Sequence, residues 1–387
     1  MTRAYQAALN LAFGSVCQQT NLARKRTIAS LRLSKQSSRR ALCRRANGNL
    51  RVECSLILVL GVSLSSQGLC EDLRSPSATS YLQRGAEYYA KGELDRAIAD
   101  YDIALRFDPT YAKAYYSRGL AHRAKGEVHL AVEDYTWALE YDPDLAEAYD
   151  NRGLAYQVKK DWNRAIQDHS RALELKPRWA LAYFHRGHAR RLSGDAKAAL
   201  ADYNRAISLN TKLAKAYLGR GLLRAANNDL EGALADFNQA VKRDPAYAEA
   251  YVNRGVIRHS LGNPAAAIPD FERAIGLDQR LAAAYYARGN ACRALNELDR
   301  AIADYSQALV LDASLADAYN NRGFVHYTKG EMDAALADYS RAIESNPAHA
   351  LAYLNRSIAL RLHGDLEGSQ RDLEHALTLD PRLQGRK

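Results

Sequence analysis

The sequence lacks the short motifs that announce chemistry. It has no Cys-x-x-Cys pair and no Cys/His spacing suited to zinc, although five cysteines are present. Cys17, Cys43, Cys54 and Cys70 fall in the first 77 residues. Cys292 stands alone inside an apolar pattern, as a small buried residue does. A disulfide framework is therefore not indicated. No Gly-rich phosphate loop and no His-Glu-x-x-His occurs, so neither enzymatic activity nor a cofactor is expected. No apolar run reaches the roughly 20 residues that a membrane-spanning helix needs. No stretch combines clustered Lys/Arg with a nucleic-acid motif, and nucleic acid is not an expected partner.

The net charge of +10 is not a counterargument, because it is unevenly spread. Residues 1–77 hold twelve Lys/Arg and three acids, while the remaining 310 hold 42 and 41. The high pI belongs to the leader and says little about partners of the rest. With 47% apolar and 25% charged residues, the chain has an ordinary soluble composition.

What fills those 310 residues is a period. Arg-Gly recurs at Arg84-Gly85, Arg118-Gly119, Arg152-Gly153, Arg186-Gly187, Arg220-Gly221, Arg254-Gly255, Arg288-Gly289 and Arg322-Gly323, and Arg356-Ser357 closes the series. The step is 34 residues each time, the mark of a solenoid. Nine copies tile residues 78–383, leaving 384–387 as a tail.

The copy from Ala146 to Trp179 shows the local logic. Ala148, Tyr149, Gly153 and Tyr156 have helical spacing, predicting a helix from Ala146 to about Lys159. At the site of Lys160 six other copies have Gly and two have Asn228 and Asn296, residues that tolerate a left-handed turn past a helix end. A second helix is predicted from about Asn163 to Lys176, burying Ala165, Ile166, His169, Ala172 and Leu173, and Pro177 cannot continue it. Gly153 and Ala165 are small enough for the two helices to approach closely. Neither helix can bury its apolar face alone, so neighbouring copies must stack. Pro269 falls inside the second helix of the sixth copy, where a bend is expected near Ala265 to Asp270.

This pattern resembles the tetratricopeptide repeat family, on the period and on Tyr149, Gly153, Tyr156, Ala165, His169, Ala172 and Pro177. The resemblance implies an all-α, right-handed superhelical solenoid of nine helix-turn-helix repeats, with the first helix of each pair lining a concave groove. It also implies a role in binding other proteins, usually as extended peptides. One departure is systematic. Where the family usually has Leu before the Gly, all nine copies have Arg, and sixteen residues on each copy has Asp. An Arg in a helix-packing seam needs a partner. Arg152 with Asp168, and Arg186 with Asp202, are expected rungs of a structural ion-pair ladder.

The expected groove carries three groups. Asn151, Asn253, Asn321 and Asn355 share one site; where the family binds extended peptides, Asn here commonly hydrogen-bonds the ligand backbone, the alternative being an ordinary solvated residue. A turn away, Leu120, Leu154, His188, Leu222, Val256, Phe324 and Ile358 are expected to form an apolar wall with Tyr116, Phe184, Leu218 and Tyr286. Arg190, Arg191, Arg224, Arg258 and Arg293 cluster near first-helix ends. They either answer the helix dipole or anchor an anionic group of a ligand. His185 and His188 share a helix face, but Asn151, Leu154, Gly219 and Leu222 at the equivalent sites supply no third ligand, so no metal is expected.

The leader is basic, and its uncharged stretch of about 54–66 suits a secretory h-region, with small residues placing cleavage after Gly68. Export to the periplasm or outside the cell is expected; an organelle-targeting segment or a cytoplasmic tail are the alternatives. The reading that joins these features is a non-enzymatic scaffold or adaptor that binds a peptide or protein partner in its groove. The alternatives are a self-assembling module that forms homo-oligomers through uncapped terminal repeats, and a regulatory subunit of an enzyme complex.

Overall fold

The computed structural model describes residues 77–384. The h-region, its cleavage site, the four early cysteines and the last three residues of the tail lie outside the described residues. Among the described residues there are eighteen α-helices, one 3₁₀ turn and no strand.

The helices come in nine pairs. They run α1 Ala78–Ala90 with α2 Leu94–Phe107, α3 Ala112–Ala124 with α4 Val128–Tyr141, and α5 Ala146–Val158 with α6 Trp162–Leu175. The middle pairs are α7 Ala180–Leu192 with α8 Ala196–Leu209, α9 Ala214–Ala226 with α10 Leu230–Arg243, and α11 Ala248–Ser260 with α12 Pro264–Leu277. The last are α13 Ala282–Ala294 with α14 Leu298–Leu311, α15 Ala316–Thr328 with α16 Met332–Ser345, and α17 Ala350–His363 with α18 Leu366–Leu379. Each odd-numbered helix packs on the even-numbered helix that follows it, and that helix packs on the next pair. Odd-numbered helices also touch one another along the array, so they form one continuous layer. Long-range contacts therefore stay between neighbours, as in a solenoid.

Local chemistry sets the breaks. All nine positions after the first helix are left-handed: six are Gly, and Lys160, Asn228 and Asn296 have φ of 59°, 63° and 62°. Second helices start on side-chain caps in five copies, where Asp161, Asp195, Asp229, Asn263 and Asp365 accept from the backbone three residues on. Inside a pair the core is Ala plus one ring. A Cβ on Gly153 would lie 2.7 Å from Cε1 of His169, and the rings of Tyr101, Tyr135, Phe237, Phe271 and Tyr305 crowd the matching glycines in the same way.

The helix α12 runs unbroken through Pro269 at the same fourteen-residue length as the other second helices. Pro269 sits on the exposed side of α12, where the carbonyl it leaves without an N–H partner can meet water. The array is also not bare at its last pair. The 3₁₀ turn Pro381–Leu383 buries Leu383 against Leu354 and Ala376.

Candidate functional site

Arg152 shows what the Arg before Gly does. Its Nε and Nη2 donate to Oδ2 and Oδ1 of Asp168, both at 2.8 Å. The planar guanidinium matches the carboxylate fork, which a Lys could not. The same pairing occurs in all nine copies, always to the Asp sixteen residues on. Each guanidinium also lies over the Tyr three residues before it, at 5.0–5.8 Å. The remaining Nη1 reaches back to the preceding pair: Arg152 to Thr136 at 3.2 Å, Arg186 to Ser170 at 3.1 Å, Arg220 to Asn204 at 2.7 Å. The ladder thus ties helix to helix within a pair and pair to pair along the array.

The same aspartates take most of the supposed anion anchor. Nη1 of Arg190, Arg224 and Arg258 donates to Asp202, Asp236 and Asp270 at 2.8–2.9 Å. These three are second arms of the ladder, because the residue four after each ladder Arg lies on the same helix face. The charge of Arg191 instead acts on Tyr203 and His188, and Arg293 stacks over Phe324 at 5.5 Å.

The asparagines are likewise engaged. Asn151 Nδ2 donates to the Tyr116 hydroxyl at 3.1 Å, Asn321 Nδ2 to the Tyr286 hydroxyl at 3.2 Å, and Asn355 Nδ2 to Asn320 Oδ1 at 2.8 Å. Asn253 is buried and donates to the Glu249 carbonyl at 2.7 Å. At Asn151, Asn321 and Asn355 the site links a first helix to the one before it, whereas Asn253 bonds within its own helix. The wall is also interrupted. Leu218 and Leu222 are buried, whereas Phe324 and Ile358 are exposed.

Between the third and fourth pairs lies a polar junction. His169 is fully buried, with Nδ1 2.7 Å from Asp150 Oδ1. His185 Nδ1 is 2.9 Å from Asp150 Oδ2. Gln157 joins the far side of His169 (Nε2 to Nε2, 2.8 Å) to His188 (Oε1 to Nδ1, 2.9 Å). An ionised carboxylate only accepts, so both rings present Nδ1–H to it. Burial pushes the Asp150 carboxyl up, but the two histidine hydrogen bonds more than offset that and hold it well below the usual range. Burial pushes His169 down, and with the Arg191 charge it pushes His188 down to about 4. The pair His185 and His188, singled out by spacing, is not the pair that meets. His185 joins His169 and Asp150, from 16 and 35 residues upstream. The signal was available in the repeat register: the site of His169 is Tyr or Phe in seven other copies.

The fold is a solenoid of 34-residue helix pairs bearing a first-helix face. Family models described as "TPR repeat" match residues 85–126, 119–160 and 289–330. Models described as "Tetratricopeptide repeat" match residues 180–212, 218–282 and 316–349. The chain belongs to the tetratricopeptide repeat family. No curated protein matches it in sequence. Among solved structures, a tetratricopeptide repeat protein from Parabacteroides merdae ATCC 43184 is similar in fold, with TM-score 0.52 and 21% identity, over 64% of this chain and 98% of that one. A chain of the APC/C hetero-tetramer Cut9-Hcn1 is similar at TM-score 0.54 and 15% identity, over 79% of this chain and 74% of that one.

Proposed function

We propose that the array is a non-enzymatic scaffold that receives an extended peptide or protein segment along the face of its odd-numbered helices. One observation carries this. Leu181, Leu351, Phe324, Ile358, Val158, Leu192 and Leu362 are each 37–64% exposed. They occupy the second, ninth and thirteenth positions of their copies, which fall within an arc of about 40° at 3.6 residues per turn. A stripe of apolar groups held open to water on one layer of helices suits a partner with apolar side chains. The family fold supports a protein or peptide partner.

The test is panning of an unbiased peptide-display library against the full chain. Enriched peptides should bind the double variant Phe324→Ser, Ile358→Ser at least ~10-fold more weakly, in line with the loss of two buried apolar side chains. An unchanged affinity in that variant would sink the assignment of the face. A second reading, self-association through the last pair, is favoured by Leu362 and Leu366, 64% and 66% exposed there. Light scattering separates the two: Leu366→Glu should alter mass only if that end pairs with another copy.

A further inference from the structure

The geometry points to a site for one divalent transition-metal ion of the zinc type, held by Asp150, His169 and His185 where the third and fourth helix pairs meet.

Three independent departures from the chain's own repeat converge there. The site of His169 holds Tyr or Phe in seven of the other eight copies and Leu373 in the last. The site of Asp150 is apolar or aromatic in seven others, with Asn320 in the eighth. No other copy has His at the site of His185. At the sites of Asp150 and His169 the change places a polar group where the array otherwise packs apolar or aromatic surface, which carries an energetic cost. Together they bring two imidazoles and a carboxylate to one point, with donor atoms all within 4.8 Å of one another.

That donor set is the one zinc-type ions take, with an open position left when only three ligands come from protein. Bonds of about 2.0–2.2 Å in tetrahedral geometry separate ligand atoms by about 3.3 Å. The contacts of 2.7 Å and 2.9 Å to Asp150 would widen by about half an ångström on taking up the ion, and the two imidazole donors already lie within 4.8 Å of each other. The side chains of His169 and Asp150 are 0% and 4% exposed, which fixes them, while that of His185 is 18% exposed and gives the ion a way in.

Proton bookkeeping is simple. Without metal each ring carries its proton on Nδ1 and donates to Asp150. With metal each ring carries it on Nε2, so both stay neutral and no net proton is released. His169 Nε2–H then needs an acceptor, and Gln157 stands 2.8 Å away. Turning its amide presents Oε1 to His169 and the NH₂ to His188 Nδ1, giving up its bond to the His185 carbonyl. Gln157 is thus a positioning residue that fixes the ring from the second layer.

The full chain, stripped with EDTA and dialysed, is titrated with Co²⁺ alone and then with Zn²⁺. One equivalent of Co²⁺ should bring up a visible absorption band of four-coordinate cobalt, and Zn²⁺ should abolish it. His169→Phe and His185→Asn restore residues that this array uses at the same sites, so both should fold and both should lose the band. Gln157→Leu should weaken Co²⁺ binding ~10–100-fold while keeping the band. His185 is the partly exposed ligand, so His185→Asn keeps the test decisive if His169→Phe misfolds. Absence of a stoichiometric band in the wild type overturns the proposal. So does a band that persists in both variants, or one with the charge-transfer signature of thiolate ligands.

Discussion

At the scale of the residue, Arg152 does three things at once. It forks onto Asp168, lies over Tyr149 and reaches Thr136 of the previous pair. Replacing it with Leu leaves Asp168 in the helix seam with no guanidinium. A buried carboxylate stripped of its partner costs more than the pair was worth, because the desolvation remains and the attraction does not. We expect Arg152→Leu to cost about 2–3 kcal/mol, less than the ~3–5 kcal/mol of a fully buried pair, since Arg152 keeps 17% of its side chain exposed. Arg152→Leu with Asp168→Leu should recover much of that loss, because two apolar groups can fill the seam. The remainder reports the Tyr149 and Thr136 contacts. Urea midpoints of wild type, both single variants and the double variant close the cycle; additive losses would show that the two side chains are not coupled.

At the scale of the element, the helix ends follow from single residues. The left-handed position closes the first helix in every copy, and Lys160 fills it where most copies use Gly. A side chain with a Cβ is strained there by about 1–2 kcal/mol. Lys160→Gly should therefore raise the urea midpoint by about 0.5–1 kcal/mol equivalent, after the extra freedom Gly gains in the unfolded chain is set against it. Asn228→Gly should do less, since Asn tolerates this region. A Lys160→Gly variant no more stable than wild type would mean that the turn carries no strain. This also shows how much was legible. Helix boundaries came within a residue of those seen, because capping, left-handed turns and Pro stops are local signals. The ladder was legible because it repeats nine times at a fixed offset. The partners of Asn151, Asn321 and Asn355, and of Arg190, Arg224 and Arg258, were not legible because they sit on a neighbouring helix, which local pattern does not place. The Asp150–His169–His185 junction was missed for the opposite reason: it occurs once, and its three residues come from different sites of two adjoining copies.

At the scale of the molecule, a chain of nearest-neighbour interfaces comes apart at its weakest joint, and which joint is weakest can depend on pH. Most joints in this array are apolar around the buried ring; Phe237 and Phe271 fill that place in the fifth and sixth pairs. The joint between the third and fourth pairs holds His169 and His188 instead, both kept neutral by burial. Their folded values lie below the unfolded value near 6.5, so the unfolded form takes up the protons first. The joint is at full strength above about pH 6.5 and loses strength as pH falls toward about 4, the value for His188. Asp150 acts in the same direction but lower, since its depressed carboxyl loses stabilisation only below about pH 4. Amide exchange followed by mass spectrometry in EDTA, at pH 7 and pH 4.5 and corrected for intrinsic rates, should show opening increased over α5 to α7 and little changed over α10 to α12. In His169→Phe with His188→Leu, residues the array uses at those two sites elsewhere, the acid-induced opening over α5 to α7 should disappear. A uniform response along the array, or one that survives in that double variant, would place the acid sensitivity in the ladder carboxylates and not in this joint.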